Sequence, residues 1–380
     1  VGAGLKLFLI AGEPSGDRLG AALMAGLRAL APGVEFHGVG GPLMQAEGMA
    51  SSFPMAELSL MGIAEVVPKY FALKRRIRQA AEAALAFAPA ALITIDSPDF
   101  CLRVAQTVKR ARPDLRTIHY VAPSVWAWRP GRAARMARVI DHVLALLPFE
   151  PPYMTAAGMS CDFVGHPVVA EELATPLQAQ ALRRGPGPMI LALPGSRRGE
   201  VTRLAPVFGA VLARVKAAQP GAQVLLPTLP AVTDLVAQLT ADWPIAPQIV
   251  TDPAERRAAF AAADVALAAS GTVSLELAAN AVPMVIAYRL HPLSMWLMQR
   301  MALTDTVTLV NLVSETRVVP DLLGGRCRPD LIAPALLGLL GDGPARAAQI
   351  AAMAVTMQRL GQGLEAPGLR AARSVLAAIG

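Results

Sequence analysis

The chain has 380 residues, 54% hydrophobic and 17% charged, with a formal net charge of +7. That length leaves room for two hydrophobic cores, and no apolar run approaches the roughly 18 residues of a membrane-spanning helix. Aromatic residues are 5% and do not interleave with basic ones, which argues against nucleic acid as a partner. Three scattered cysteines (Cys101, Cys161, Cys327) and histidines without HxH or HxxxH spacing support neither a disulfide framework nor a metal site, and no cofactor is expected.

A chain that begins at Val1 reads as a trimmed product. Its start runs straight into a strand candidate at 5–10 with no signal-peptide order, so the expected compartment is the cytoplasm. Residues 11–17 follow as a glycine-bearing turn, and leucines at 19, 23, 27 and 30 then repeat at helical spacing. Glu13 and Asp17 make this turn a poor seat for phosphate. They suit sugar hydroxyls or a positioned proton acceptor, with Ser15 beside them, and the alternative is a plain turn in which Ser15 or Asp17 caps the helix. Residues 37–42 form a second glycine-rich turn that can admit a ligand closely. The stretch 69–79 is basic and amphipathic, as in helices that lie on a membrane surface or simply cover a core.

A buried-strand candidate at 91–95 leads directly to Asp96, with Asp99 three residues on. At the carboxyl end of a strand this reads as a general base with a second carboxylate as helper, against the alternative that Ser97 or Asp99 caps the next helix. Strand candidates at 117–121 and 142–147 follow. Between them lies the loop 120–132, where Trp126, Trp128, Arg129 and Arg132 point to packing or binding.

Proline, glycine and polar residues at 171–188 mark a linker, with the boundary near Pro167. We therefore expect an N-terminal lobe over 1–166, a second lobe over 167–344, and a C-terminal helical segment over 345–380 able to cross back onto the first lobe. Strand candidates at 189–193, 223–226, 245–250, 264–269 and 283–288, with a helix at 200–218, restart the same rhythm. Alternating strands and helices imply two doubly wound parallel-sheet lobes facing a cleft, an α/β fold.

Within the second lobe, Gly195, Ser196 and Arg197 stand between a strand and a helix, a pattern for an anion held by backbone N–H groups and a guanidinium fork. Ser270, Gly271 and Thr272 repeat it. Glu276, four residues into the next helix, suits ribose hydroxyls or, alternatively, a loose capping box. Two such loops in one lobe point to a nucleoside diphosphate joined to a further group. The stretch 289–301, with Trp296, Leu297 and Met301, is a second basic amphipathic candidate for a lipid surface or for core packing.

Taken together, AGEPSGD (11–17), GVGGPLMQAEG (38–48), LMGIAEVV (60–67), IDSPDF (95–100), HYVAPSVWAWRPGR (119–132), LPFE (147–150), FVGHP (163–167), LPGSRRGEV (193–201), ASGTVSLE (269–276), MVIAYR (284–289), TD (304–305) and VNLV (310–313) resemble the lipid-A-disaccharide synthase family. The resemblance implies a GT-B-like inverting glycosyltransferase that uses a UDP-diacylglucosamine donor and an acylated glucosamine 1-phosphate acceptor. It implies an acceptor-side first lobe and a nucleotide-sugar-binding second lobe, Asp96 as general base, Glu13 as a second catalytic residue, and Arg197 and Asn311 on the donor side. Ser15, Asp17, Asp99, Trp126 and Arg129 are expected toward the acceptor. A peripheral position on the anionic inner-membrane surface, with Trp296, Leu297 and Met301 toward the acyl chains, is also implied, as is a homodimer with exchanged C-terminal segments. Two departures stand out. The residues before Asn311 read Thr-Val-Thr-Leu-Val where many members carry Tyr and Pro, and Phe100 is followed by Cys101 rather than Asn. A sugar-nucleotide epimerase and a non-catalytic binding module are the rival classes.

Overall fold

The computed structural model describes residues 4–58, 63–290 and 300–380, with the backbone alone for 63–70. The chain forms two compact units, Val1–Ala170 with Gly363–Gly380, and Glu171–Gln362.

Among the described residues the first unit holds a seven-stranded sheet. Its strands are β1 (Lys6–Ala11), β2 (Glu35–Val39), β3 (Ala50–Ser51), β4 (Ala91–Ile95), β5 (Arg116–Tyr120), β6 (His142–Ala145) and β7 (Ser160–Phe163). All pairings are parallel, in the order β3-β2-β1-β4-β5-β6-β7. Side chains alternate between two cores. Phe8, Ile10 and Leu92 enter one, with Phe100 and Val104 from the helix Pro98–Ala111. Leu7, Leu9 and Ile93 enter the other, with Leu23 and Leu27 from the helix Pro14–Leu30. Each such side chain, fully buried, stabilises the fold by roughly 1.5–3 kcal/mol. Helices on both faces explain why β1 and β4, apart from Lys6 and Thr94, read as apolar runs rather than alternating ones.

The second unit repeats the plan with six parallel strands among the described residues: β8 (Met189–Leu193), β9 (Gln223–Pro227), β10 (Gln248–Val250), β11 (Val265–Ala268), β12 (Met284–Tyr288) and β13 (Asp321–Leu323). Their order is β10-β9-β8-β11-β12-β13. The helix Arg198–Ala218 packs Val201, Leu204, Phe208 and Leu212 against this sheet. In both sheets the chain winds outward from its first strand, then returns to pair a later strand beside it. The order therefore reverses between β1 and β4, and again between β8 and β11, where α/β sheets gather ligands beyond the strand ends.

The C-terminal segment, which reads as helical throughout, divides in two. The helix Pro344–Arg359 stays in the second unit, where Gln349 Nε2 donates to the Met284 carbonyl while its Oε1 accepts from the Met284 N–H. Gly361 and Gly363 then take positive φ, 103° and 80°, and the helix Pro367–Ile379 lies against Pro14–Leu30 in the first unit. That crossing is close. A Cβ at Gly26 would sit 2.7 Å from the Gly368 carbonyl oxygen, and one at Gly368 would sit 2.6 Å from that of Ala22.

The proposed linker carries a short helix, Pro176–Ala181, started by a capping box between Thr175 and Gln178. β3, β7 and β13 were not legible in the sequence, being two to four residues long at sheet edges. Residues 71–79 fall in the helix Ile63–Phe87, whose Ile77, Ala80, Ala81 and Ala84 join the core. Trp296 and Leu297 lie outside the described residues, and Met301 is half-buried.

Candidate active site

The reversal in the first sheet brings the loops after β1 and β4 together. A Cβ on Gly12 would lie 2.6 Å from Ser97 Oγ, so only glycine admits this approach. Glu13 stands at the start of the helix Pro14–Leu30 in extended conformation, and Ser15 Oγ donates to Asp96 Oδ2 at 3.5 Å. Asp96 and Ser97 both adopt left-handed backbone, φ 53° and 44°. Each costs roughly 1–2 kcal/mol for a residue with a Cβ. The Asp96 N–H donates to the Tyr120 carbonyl at 3.0 Å, and Asp96 Oδ1 accepts from the Ser97 N–H at 2.9 Å. Strain of this kind gathers at functional sites. Here it holds a half-buried carboxylate just beyond the strand, next to Ser15.

Glu13 follows Gly12, whose close approach to Ser97 puts it on the loop that adjoins Asp96. Burial pushes the Cys101 thiol far up, and the charges of Asp96 and Glu13 push the same way. Asp99, expected as the helper, is exposed in the first turn of Pro98–Ala111, where its charge complements the helix start. No hydrogen bond joins it to Asp96 among the described residues. Asp17, read as an acceptor-side residue or a helix cap, caps a helix other than its own. It is 3% exposed and accepts from the backbone N–H groups of Gly41, Leu43 and Met44 at 2.8, 3.0 and 3.0 Å. Its carboxylate caps the short helix Pro42–Ala46 and ties the first glycine turn to the second.

In the second sheet the reversal brings the ends of β8 and β11 side by side, Leu193 opposite Ala268. Gly195 turns the chain with φ 114°, and Ser196 and Arg197 are exposed. The Ser196 and Arg197 N–H groups expected for phosphate are already taken. Glu200 Oε2 accepts from them at 3.2 and 3.3 Å, and Glu200 Oε1 accepts from Arg197 Nη1 at 3.2 Å and from the Tyr288 hydroxyl at 3.3 Å. What this loop offers an anion is the rest of the Arg197 guanidinium and the Ser196 hydroxyl. After β11, Ser270 is half-buried while Gly271 and Thr272 are exposed. Gly271 has φ 150°, and a Cβ there would meet nothing within 4 Å, so this turn is open to a ligand. Glu276 pairs with Arg256, whose guanidinium lies over the Phe260 ring at 4.9 Å.

The family model for lipid-A-disaccharide synthetase matches residues 7–366. The chain belongs to the lipid-A-disaccharide synthase family. The lipid-A-disaccharide synthase of Ruegeria pomeroyi is 62% identical over 384 residues, covering 98% of this chain and 95% of its own. That of Rhodospirillum centenum is 49% identical over 378 residues, covering 98% and 94%. Membership makes the chain an enzyme, a disaccharide-forming glycosyltransferase. Among solved structures, a Neisseria meningitidis UDP-GlcNAc 2-epimerase bound to UDP-GlcNAc superposes with a TM-score of 0.64 at 11% identity over 98% of each chain. A Rickettsia africae glycosyltransferase does so with a TM-score of 0.63 at 13% identity over 100% of this chain and 98% of its own. At such identity the likeness is one of fold alone: the two-lobed α/β plan of GT-B enzymes. The family match, not the fold, decides against the epimerase reading.

Two residues of the family's motifs emerge differently from the sequence reading. Asn311 is 1% exposed. Its amide donates to Thr306 Oγ1 and the Val319 carbonyl and accepts from the Val319 N–H at 3.0 Å, so it braces the chain from within. Glu150, part of LPFE, was not singled out, yet it anchors the tryptophan loop. Buried at 4% exposure, it accepts from Trp126 Nε1 at 3.3 Å and from the N–H groups of Leu146 and Leu147 at 3.2 and 3.0 Å. Trp126 also meets the Phe149 ring edge-on at 5.3 Å. The signal available was a carboxylate inside an apolar run, which must find donors if it is buried.

Burial raises the Glu150 carboxyl to about 7, against the partial relief of those hydrogen bonds. A carboxyl raised by folding stabilises least when ionised. Its contribution is undiminished below the unfolded value of about 4.5, declines as pH rises through about 7, and is flat above. The tryptophan fluorescence of the native enzyme should therefore titrate with a midpoint near 7 as the charge beside the Trp126 indole changes. Glu150→Gln should remove that transition, and an unaltered curve in this variant would separate Trp126 from Glu150.

Proposed function

We propose that the enzyme transfers diacylglucosamine from UDP-2,3-diacylglucosamine to the 6-hydroxyl of 2,3-diacylglucosamine 1-phosphate, giving the β(1→6) disaccharide 1-phosphate and UDP. Asp96 accepts the hydroxyl proton. The freed oxygen attacks the anomeric carbon from the face opposite UDP, the bond from that carbon to the diphosphate oxygen breaks, and configuration inverts. Arg197 meets the charge that grows on the leaving diphosphate, and the open turn at Gly271 and Thr272 supplies further donors. Ser15 and Glu13 flank Asp96 and orient the acceptor hydroxyl. The observation that carries this reading is the strained left-handed pair Asp96–Ser97 beside Ser15 at the reversal of the first sheet.

Both substrates carry acyl chains that must stay out of water. Among the described residues no helix is long and apolar enough to cross a membrane. We infer docking on the cytoplasmic face of the inner membrane. On the helix Ile63–Phe87, Phe71 is 82% exposed and Lys74, Arg75 and Arg78 are exposed near it, which suits insertion beside anionic headgroups. Purified enzyme given both substrates should yield one new species whose mass equals the sum of donor and acceptor less UDP. Release of an altered UDP-sugar without a joined product would instead support an epimerase.

A further inference from the structure

The loop between β5 and the short helix Gly131–Met136 does more than pack. Ala122 and Val125 enter the core beside Phe100 and Cys101, and Trp126 is held by Glu150 and Phe149. The loop is thus fixed at the strand ends next to Asp96, whose N–H donates to the last residue of β5, Tyr120. Beyond these anchors the chain presents Trp128 with two cations on it. The guanidinium carbons of Arg129 and Arg132 lie 4.3 and 5.7 Å from the ring centroid. Neither arginine has a carboxylate partner among the described residues.

This arrangement does not repay its cost through stability. An exposed cation–π contact contributes about 0.5–1 kcal/mol. Arg129 has φ 52°, a left-handed conformation costing roughly 1–2 kcal/mol, and it precedes Pro130, which further restricts its backbone. Two guanidinium groups gathered on one ring also repel. An anion shared between them removes the repulsion and uses both planar forks. Gly131, between the two arginines in sequence, is exposed, and a Cβ there would meet nothing within 4 Å, so this turn is uncrowded.

We infer that Arg129 and Arg132, stacked on Trp128, form a seat for a phosphomonoester, the 1-phosphate of the acceptor sugar. This rests on the reaction proposed above and assigns the acceptor's charged end. A monoester carries up to two negative charges and needs two cations. The seat follows β5, the strand paired with the one that ends at Asp96, the group that meets the acceptor hydroxyl, whereas the donor diphosphate is assigned to Arg197 on the other sheet. The same chemistry is offered by anionic lipid headgroups, and the experiment separates the two sources.

The test compares wild type, Arg129→Ala/Arg132→Ala and Arg129→Lys/Arg132→Lys. In detergent micelles, each receives 2,3-diacylglucosamine 1-phosphate or the same acceptor without its phosphate, and kcat and KM are read from disaccharide formed. Wild type should prefer the phosphorylated acceptor. The alanine pair should raise its KM at least about tenfold, the scale of one charged hydrogen bond, and should lose the preference between the two acceptors. The lysine pair, which keeps charge without the fork, should fall between. Donor KM should stay unchanged, a result that general loss of folding would not produce. An undiminished preference in the alanine pair overturns the assignment. So does an unchanged micellar KM combined with lost pelleting on phosphatidylglycerol vesicles relative to phosphatidylcholine vesicles, which would make the seat a headgroup site. Absence of disaccharide from the wild type would instead remove the proposed reaction itself.

Discussion

Asp96→Asn should lower turnover at least about 100-fold, the lower range of general-base catalysis, while UDP affinity stays near that of the wild type. The substitution isolates the chemistry because asparagine preserves the rest. Asparagine tolerates left-handed backbone, which Asp96 adopts at φ 53°. Its side-chain oxygen can still accept from the Ser97 N–H or Ser15 Oγ, the contacts made at 2.9 and 3.5 Å. What it cannot do is take up a proton. Steady-state turnover with both substrates, beside calorimetric UDP binding, separates the two effects. Near-normal turnover in the variant would remove Asp96 from the role of base and leave Glu13, on the adjoining loop after β1, to be tried.

Arg197→Ala should weaken UDP binding by about 10- to 100-fold, the range expected on losing a charged hydrogen bond of about 1.5–3 kcal/mol. It should also slow turnover at saturating donor, because the diphosphate gains charge as it leaves. The protein should remain folded. The Arg197 side chain is 65% exposed, and exposed ion pairs contribute little to stability. Glu200, moreover, keeps the Ser196 N–H and Tyr288 as partners when that guanidinium is gone. UDP titration and saturating-donor kinetics read the two effects. Unchanged affinity with unchanged rate would place the diphosphate elsewhere, with the open turn at Gly271 and Thr272 as the next position to test.

Much of the architecture was legible because it is written in local periodicity. Strands buried on both faces leave nearly continuous apolar runs, as at β1, β4 and β8. Helices repeat leucines every three or four residues, and glycines stand where the chain turns sharply at a strand end. Short edge strands such as β7, with alternating exposed and half-buried residues Ser160–Phe163, leave too few apolar positions to show.

The sequence by itself put most candidate site residues in loops that follow strands, among them those after β1, β4, β8 and β11. Only the tertiary structure decided that these loops meet in pairs, because strand order, not chain order, makes β4 the neighbour of β1 and β11 the neighbour of β8. It likewise decided which polar groups the fold itself consumes. Asp17 and Asn311 look like ligand contacts in the sequence, yet their oxygens and amide are spent on distant backbone at Gly41–Met44 and Val319, and Glu200 fills the amide donors after β8. A buried polar atom must find a partner. Which partner it finds depends on residues brought near by packing, and that allocation has no periodic trace along the chain.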